Sequence, residues 1–243
     1  MSTAPLFLLD PLPAGESISL TGDEGRHAAR VKRLGVGERV LISDGRGAVA
    51  ECAVAEVLPD GLRLSVMARR AVPEPTPRLV VVQALPKGER ADLAVEVMTE
   101  LGVDEIVPWA ASRSIVRWDG ARGAKALEKW RRTAAEAAKQ SRRARVPLVA
   151  ELASTEQVAA ILAGSTGLVL HESAQHGIGS VTLSAGRDVV VVVGPEGGIS
   201  DGELAHFIGA GAVAVRLGES VLRTSTAGAA ALAALSLRLD RWV

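Results

Sequence analysis

Val189-Val190-Val191-Val192-Val193-Gly194-Pro195-Glu196-Gly197-Gly198-Ile199-Ser200-Asp201-Gly202-Glu203 is the stretch that decides the fold. Five consecutive valines show no apolar/polar alternation, which predicts a strand buried on both faces. Ser200 and Glu203 have the spacing of a capping box, which predicts a helix start. Between strand and helix lies a glycine-rich loop. The pattern recurs downstream. Ala212 to Arg216 has strand character, Leu217-Gly218-Glu219-Ser220-Val221-Leu222-Arg223-Thr224 follows as a loop, and Thr226 to Leu239 reads as a helix. In open α/β sheets, ligands bind beyond the carboxyl ends of the strands. Two such loops therefore predict one shared pocket. The first loop is not a phosphate-binding Walker A loop, because no Gly-Lys-Ser/Thr follows, and it lacks the G-x-G-x-x-G spacing of a dinucleotide site.

Working outward, Arg78 to Leu85, Val103 to Val107 and Gly167 to Leu170 read as further strands. Glu89 to Leu101, Ala124 to Arg143 and a segment opening at Ser154-Thr155-Glu156-Gln157 read as helices. The alternation predicts a mostly parallel α/β sheet. Pro73-Glu74-Pro75-Thr76-Pro77 marks a stiff connector. Before it, short apolar runs recur at Leu6 to Leu9, Ser17 to Leu20, Arg39 to Ser43, Ala48 to Val57 and Leu62 to Met67. Asp44-Gly45 and Asp60-Gly61 have the composition of hairpin turns. Gly22 to Arg33 reads as a short helical insertion. The expected layout is a small β-barrel or sandwich over 1–72, a Pro-rich linker over 73–77 and an α/β domain over 78–243.

The 243 residues balance 28 Lys/Arg against 28 Asp/Glu, so the chain as a whole is not a basic glove. The charge is uneven, however. Between Arg113 and Arg145 there are 11 Lys/Arg and 3 Asp/Glu, and between Arg26 and Arg46 there are 6 and 2. Local basic surfaces of this kind suit a polyanion, though solvated helix faces carry the same signature. The lone Cys52 excludes an intramolecular disulfide and a thiolate cluster. Met1-Ser2-Thr3-Ala4-Pro5 lacks the regions of a signal peptide. Together they lead to the expectation of a reducing, cytoplasmic setting, with no membrane span.

Several side chains stand out as candidates. Arg223 lies in an uncharged stretch beside a predicted helix start, a poor place for a cation unless an anion is bound there. His171-Glu172 ends a strand next to the proposed pocket. His27, His171, His176 and His206 have no metal-ligand spacing with one another or with Cys52, so no metal is expected. Ala227 to Leu235 is rich in Ala and Gly, which suits either burial against the sheet or a tight subunit interface.

The ordered motifs of the chain resemble the RsmE family of 16S ribosomal RNA (uracil-N3) methyltransferases, within the SPOUT superfamily. In the first part these are His27 through Arg33, Gly37-Glu38 and Asp44-Gly45-Arg46-Gly47. In the second they are Lys87-Gly88-Glu89-Arg90, Thr99-Glu100-Leu101-Gly102-Val103, Arg113-Ser114, Glu136-Ala137-Ala138-Lys139-Gln140-Ser141, His171-Glu172, the Gly194 loop and Leu217 to Ala227. The chain departs from the family at Ala4-Pro5-Leu6-Phe7, where an arginine is usual, and at Val97-Met98, where a lysine is frequent.

The resemblance implies a PUA-like RNA-binding barrel followed by a SPOUT domain with a trefoil knot near its C-terminus. It implies a homodimer that uses S-adenosyl-L-methionine to methylate N3 of a specific uridine in 16S rRNA of the 30S subunit. Leu170, His171, Gly194, Pro195, Glu196, Gly198, Ile199, Leu217, Gly218, Ser220 and Leu222 would then hold the cofactor. Arg223, Glu196 and His171 are the candidate catalytic groups. His27, Arg30, Arg33, Arg46, Lys87, Arg90, Arg113, Arg142 and Arg143 are the candidate RNA contacts. The competing readings are a ribose 2′-O-methyltransferase of the same superfamily and a non-catalytic RNA-binding or ribosome-assembly protein.

Overall fold

The protein is described by a computed structural model that covers residues 4–184 and 186–242, so Met1-Ser2-Thr3 falls outside the described residues. The chain divides into two compact units, Met1–Glu74 with Ala138–Val146, and Pro75–Ala137 with Pro147–Val243.

The first unit is built on β1 (Leu6–Leu8), β2 (Ser17–Leu20), the short α1 (Gly22–Arg26) with a π-type turn at His27–Val31, β3 (Arg39–Ser43), β4 (Ala48–Leu58) and β5 (Gly61–Ala71). They form a five-stranded sheet in the order β1-β3-β4-β5-β2, antiparallel except for β1 with β3. Both expected turns close hairpins. At the first, Asp44 Oδ1 accepts from Arg46 N at 2.7 Å and from Ala48 N at 3.0 Å, an Asx-type closure. At the second, Gly61 lies against the Leu20 carbonyl, which a Cβ would meet at 2.0 Å. Two register shifts along β4 bend the long hairpin. One core results, from Phe7, Ile18, Leu20, Ile42, Cys52, Val54, Leu62, Leu64 and their neighbours. Burial raises the Cys52 thiol above its ordinary pKa, the nearby Arg69 charge opposing the effect, so the thiol is held as an inert core group.

The segment Ala138–Val146 is laced into this unit by long-range bonds. Gly47 N donates to Ala144 O at 3.1 Å, Val146 N to Gly45 O at 2.9 Å, and Ser43 Oγ to Ala144 O at 2.8 Å. Lys139, with its side chain only 8% exposed, pairs with Glu24 at 2.6 Å. A buried cation needs such a partner.

The second unit comprises β6 (Leu79–Ala84), α2 (Arg90–Glu100), β7 (Glu105–Trp109), α3 (Gly120–Gln140), β8 (Leu148–Val149), α4 (Thr155–Ala163), β9 (Thr166–Leu170), β10 (His176–Gly177), β11 (Val189–Val193), α5 (Asp201–Gly209), β12 (Val213–Arg216) and α6 (Thr224–Arg238), with the last residues of α3 in the first unit. The seven strands run in the order β10-β12-β9-β11-β6-β7-β8, and every pairing is parallel. Burial on both faces follows from strict alternation. Val189, Val191 and Val193 join Leu79, Val81 and the inner residues of α2 and α6 in one core. Val190 and Val192 join Val80, Val82, Trp109 and Phe207 in the other. The expected strands and helices all form, within a few residues of their predicted ends. The two-residue strands β8 and β10 are too short to leave a signal in the sequence pattern.

The small residues of α6 have an internal reason. At Gly228 a Cβ would meet Met98 Sδ of α2 at 2.8 Å, so glycine lets the two helices close on each other. Ala227, Ala231, Leu232 and Leu235 complete the buried face.

Candidate active site

The polypeptide leaves β11 at Gly194 and β12 at Leu217, neighbouring carboxyl ends that flank β9 in the sheet. Between them opens a cavity of about 610 Å³, within the usual range for a small-molecule or cofactor site. Its lining includes every residue expected to hold a cofactor: Leu170, His171, Gly194, Pro195, Glu196, Gly198, Ile199, Leu217, Gly218, Ser220 and Leu222. Arg223, the third candidate catalytic group, lines it too, as do Arg90 and Arg113 from the expected RNA set. Glu172, read from the sequence as ending a strand next to the pocket, lines it as well, whereas sequence reasoning did not single out Asp201, Arg216 and Glu219, charged residues of the same rim.

The first loop is held rigidly by the protein itself. Gly198 N donates to Pro195 O at 2.9 Å to close the turn, and Gly198 takes φ of +74°, where glycine is favoured. At Gly194 a Cβ would sit 2.7 Å from Ile199 Cγ1. Packing thus accounts for glycine at 194 and backbone conformation for glycine at 198. At Gly218, φ is not positive and a Cβ would meet nothing within 4 Å. Of the three glycines expected to meet a ligand, only Gly218 has no reason in the protein's own packing or backbone conformation.

The loop is also braced from outside. Both predicted capping boxes form, at Ser154 with Gln157 and at Ser200 with Glu203. Glu203 does more than cap α5. Its Oε1 accepts from Ser112 N at 2.7 Å, and its Oε2 accepts from Ser200 N at 3.0 Å and Ser200 Oγ at 2.7 Å. Burial opposes ionisation of this carboxyl, but the hydrogen bonds from Ser112 and Ser200 outweigh it and hold the pKa below the ordinary carboxylate range. Arg113 Nη1 reaches Gly197 O and Ile199 O, each at 3.4 Å. The expected RNA contact therefore also supports the loop. Lys87 meets it through its backbone, donating to Glu196 Oε1 at 3.1 Å.

The two loops are joined directly, because Thr224 Oγ1 donates to Gly194 O at 3.0 Å. Arg223 is the N-cap residue of α6, with φ −71° and ψ 151°, and its side chain makes no cap hydrogen bond. Among the described residues, no ion-pair partner is seen for it. An uncompensated cation at a helix N-terminus is unfavourable. His171 Nδ1 is engaged by Ser173, at 3.3 Å from its N and 2.8 Å from its Oγ. That contact orients the ring at the cavity wall. No group of three or more His, Cys, Asp or Glu is placed to hold a metal ion among the described residues.

The remaining RNA candidates lie in the first unit. Arg30 and Arg33 are exposed on the segment after α1, with Arg30 donating to Pro59 O at 3.1 Å. Arg46 pairs with Asp10 at 2.9 Å. A bridge between Arg46 and Arg145 sets the β3–β4 turn beside the segment that carries Arg142 and Arg143. His27 is half-buried and packs edge-on against Phe7 at 6.2 Å, which leaves it less available to a ligand than the arginines.

A parallel sheet with glycine loops at the ends of two strands that flank a third, preceded by a small β unit, defines a class that the comparisons identify. An RNA methyltransferase domain profile matches residues 73–236, and an RNA methyltransferase PUA domain profile matches residues 20–66. A ribosomal RNA small subunit methyltransferase E from Mycobacterium bovis is 46% identical over 98% of this chain and 94% of its own length. The crystal structure of such an enzyme from Neisseria gonorrhoeae, bound to S-adenosyl methionine, superposes with TM-score 0.85 at 27% identity, covering 97% of this chain and 98% of that one. A methyltransferase from Legionella pneumophila in complex with the same cofactor superposes with TM-score 0.86 at 26% identity and the same coverage. The chain belongs to the ribosomal RNA small subunit methyltransferase E family.

Proposed function

We propose that the protein uses S-adenosylmethionine to methylate N3 of a specific uridine in 16S rRNA of the small ribosomal subunit, as a cytoplasmic homodimer. The observation that carries this reading is the cavity shared by the two glycine loops, with Arg223, Glu196 and His171 on its wall. Leu170, Val193, Ile199, Leu217 and Ala227 give it an apolar lining suited to an adenosyl group, while the loop backbones offer polar groups. The open space at Gly218 leaves room for close approach. When bound, the cofactor supplies an electrophilic methyl group.

The chain's own residues supply the rest. Uracil N3 carries a proton that must leave as the nitrogen attacks, and the negative charge then spreads onto O2 and O4. Arg223, a permanently charged group in the cavity lining, would stabilise that charge. Glu196, exposed and anchored at Oε1 by Lys87 N, is the group to take the proton, with His171 as the second choice. N3 lies on the pairing edge, so the target base must be unpaired or flipped out. Arg30, Arg33, Arg46, Arg142 and Arg143 would hold the RNA backbone.

On α6, Thr226, Ala229, Ala230, Ala233 and Leu237 form an outward stripe that is half-buried or exposed; its three alanines suit the close approach of a second copy, and the exposed Leu237 adds apolar surface. The knot that the resemblance implies would pass the C-terminal segment by the Gly194 loop. The Thr224–Gly194 hydrogen bond supports that reading.

Mass spectrometry of rRNA nucleosides from a strain lacking the gene tests the proposal. Loss of 3-methyluridine from 16S rRNA is expected, restored by the wild-type gene. Loss of a 2′-O-methylated nucleoside instead, or an unchanged profile, would reject it.

A further inference from the structure

A second cavity, of about 170 Å³, opens beside the first within the same unit, lined by Leu85, Pro86, Gly88, Ala91, Val116 and Trp118 among others. Its aromatic wall is a built feature. Trp118 meets the buried Trp130 edge-on, with ring centroids 4.9 Å apart and planes at 79°. Gly123, in the first turns of α3, lets the Trp118 backbone lie against the helix, since a Cβ there would be 2.7 Å from the Trp118 carbonyl carbon. Trp130 is 3% exposed and belongs to the core, but Trp118 is only half-buried. Part of the Trp118 ring therefore faces the cavity and solvent. At the rim, Lys129 pairs with Asp92 at 2.5 Å.

The two cavities share no lining residue but meet along α2 at consecutive positions. Arg90 lines the larger cavity, and the next two residues, Ala91 and Asp92, line the smaller one. The chain leading to Trp118 reads Arg113-Ser114-Ile115-Val116-Arg117-Trp118, cations interleaved with apolar residues, and Ile115 is 71% exposed. Arg117 precedes Trp118 in the chain, and Arg122 and Lys125 lie one helical turn before Ala126 and Lys129 of the lining; among the described residues their side chains have no ion pair or hydrogen bond, so three cations against the single carboxylate Asp119 stand near the aromatic face. Such a combination suits single-stranded nucleic acid, where a base stacks on the ring and cations hold the phosphates. The volume has room for one planar ring and is below the range usual for larger ligands.

We propose that this cavity receives a nucleobase flanking the target uridine, stacked on Trp118, with Arg117, Arg122 and Lys125 contacting the adjoining phosphates. This rests on the RNA-methyltransferase reading of the main site. The stacked neighbour would hold the RNA in its splayed form while the target base occupies the larger cavity.

The test is steady-state methylation of small subunits lacking the modification, with calorimetric S-adenosylmethionine binding measured in parallel. Trp118→Ala is expected to raise KM for the RNA substrate about 5- to 150-fold, the range a stacked base is worth. The fall in kcat should be far smaller, and cofactor affinity should not move. Trp118→Phe should recover most of the loss, since a phenyl face still stacks. A single-stranded uridine oligomer should quench part of the wild-type tryptophan emission, and Trp118→Phe should remove that part. An unchanged KM in Trp118→Ala, or loss of cofactor affinity equal to the rise in KM, would overturn the proposal. A wild-type protein that methylates no RNA would instead reject the reading of the main site.

Discussion

Arg223→Asn should make the protein slower and more stable at once. Arg223 occupies the N-cap of α6 with extended backbone angles, which an N-cap requires, yet its side chain cannot accept from the helix N–H groups and donates to none. Asparagine is among the best N-cap residues, and a good cap is worth about 1 kcal/mol. Removing a cation from a helix N-terminus adds about 0.3–1 kcal/mol. The sum is a gain of about 1–2 kcal/mol, or roughly 2–8 °C in Tm at about 2–4 °C per kcal/mol for a protein of this size. Loss of a donor to developing negative charge costs about 100- to 1000-fold in rate. Thermal melting and single-turnover methylation at saturating cofactor measure the two effects. A residue kept for function at the expense of stability should show them with opposite signs. A variant that melts lower, or that methylates at the wild-type rate, would refute the argument and mark Arg223 as a structural residue.

Gly218→Val should place its side chain in the cavity without disturbing the fold. Calorimetry should show S-adenosylmethionine binding lost while Tm stays within about 2 °C, as expected where the added atoms meet no protein neighbour. Unchanged affinity would remove Gly218 from the site. Glu203→Gln should destabilise by about 1.5–3 kcal/mol at neutral pH, because the buried carboxylate accepts charge-assisted bonds from Ser112 and Ser200. Its folded pKa lies below the ordinary value. The contribution is therefore complete above the unfolded pKa, near 4.3, and is lost as pH falls through the folded one. Denaturation of both proteins from pH 7 downward should show the gap narrowing below about pH 4, and a gap independent of pH would contradict the charged assignment. Replacing Arg30, Arg33 and Arg142 together by alanine should lower the slope of log affinity against log salt by about 2–3 units for RNA. Cofactor affinity should stay the same, and an unchanged slope would show that these arginines touch no phosphate.

Much of the second unit was legible because its signals are local. The five valines of β11 reveal burial on both faces through missing alternation, and the capping boxes at Ser154 and Ser200 reveal helix starts from four residues each. The pocket followed from where the glycine loops stand relative to their strands. The rest depends on partners distant in sequence. Nothing in Ala138–Val146 announces that it packs with the β3–β4 turn and α1 more than ninety residues earlier. Glu203 reads as a cap, but its second task, bonding Ser112, needs the fold to bring residues 91 apart together. The glycines of the first loop are not separable by sequence for the same reason. Glycine at 194 answers to Ile199 and glycine at 198 to its own φ, and only the folded loop separates these causes from ligand approach.

The central claim is methyl transfer to uracil N3 by this cavity. The most direct measurement is incubation of purified protein with labelled S-adenosylmethionine and small ribosomal subunits lacking the modification, followed by nuclease digestion and mass spectrometry of the nucleosides. The account predicts label in 3-methyluridine alone, approaching one methyl per subunit, and no label with the Gly218→Val variant. Label in a ribose-methylated nucleoside, or no label at all, would contradict it.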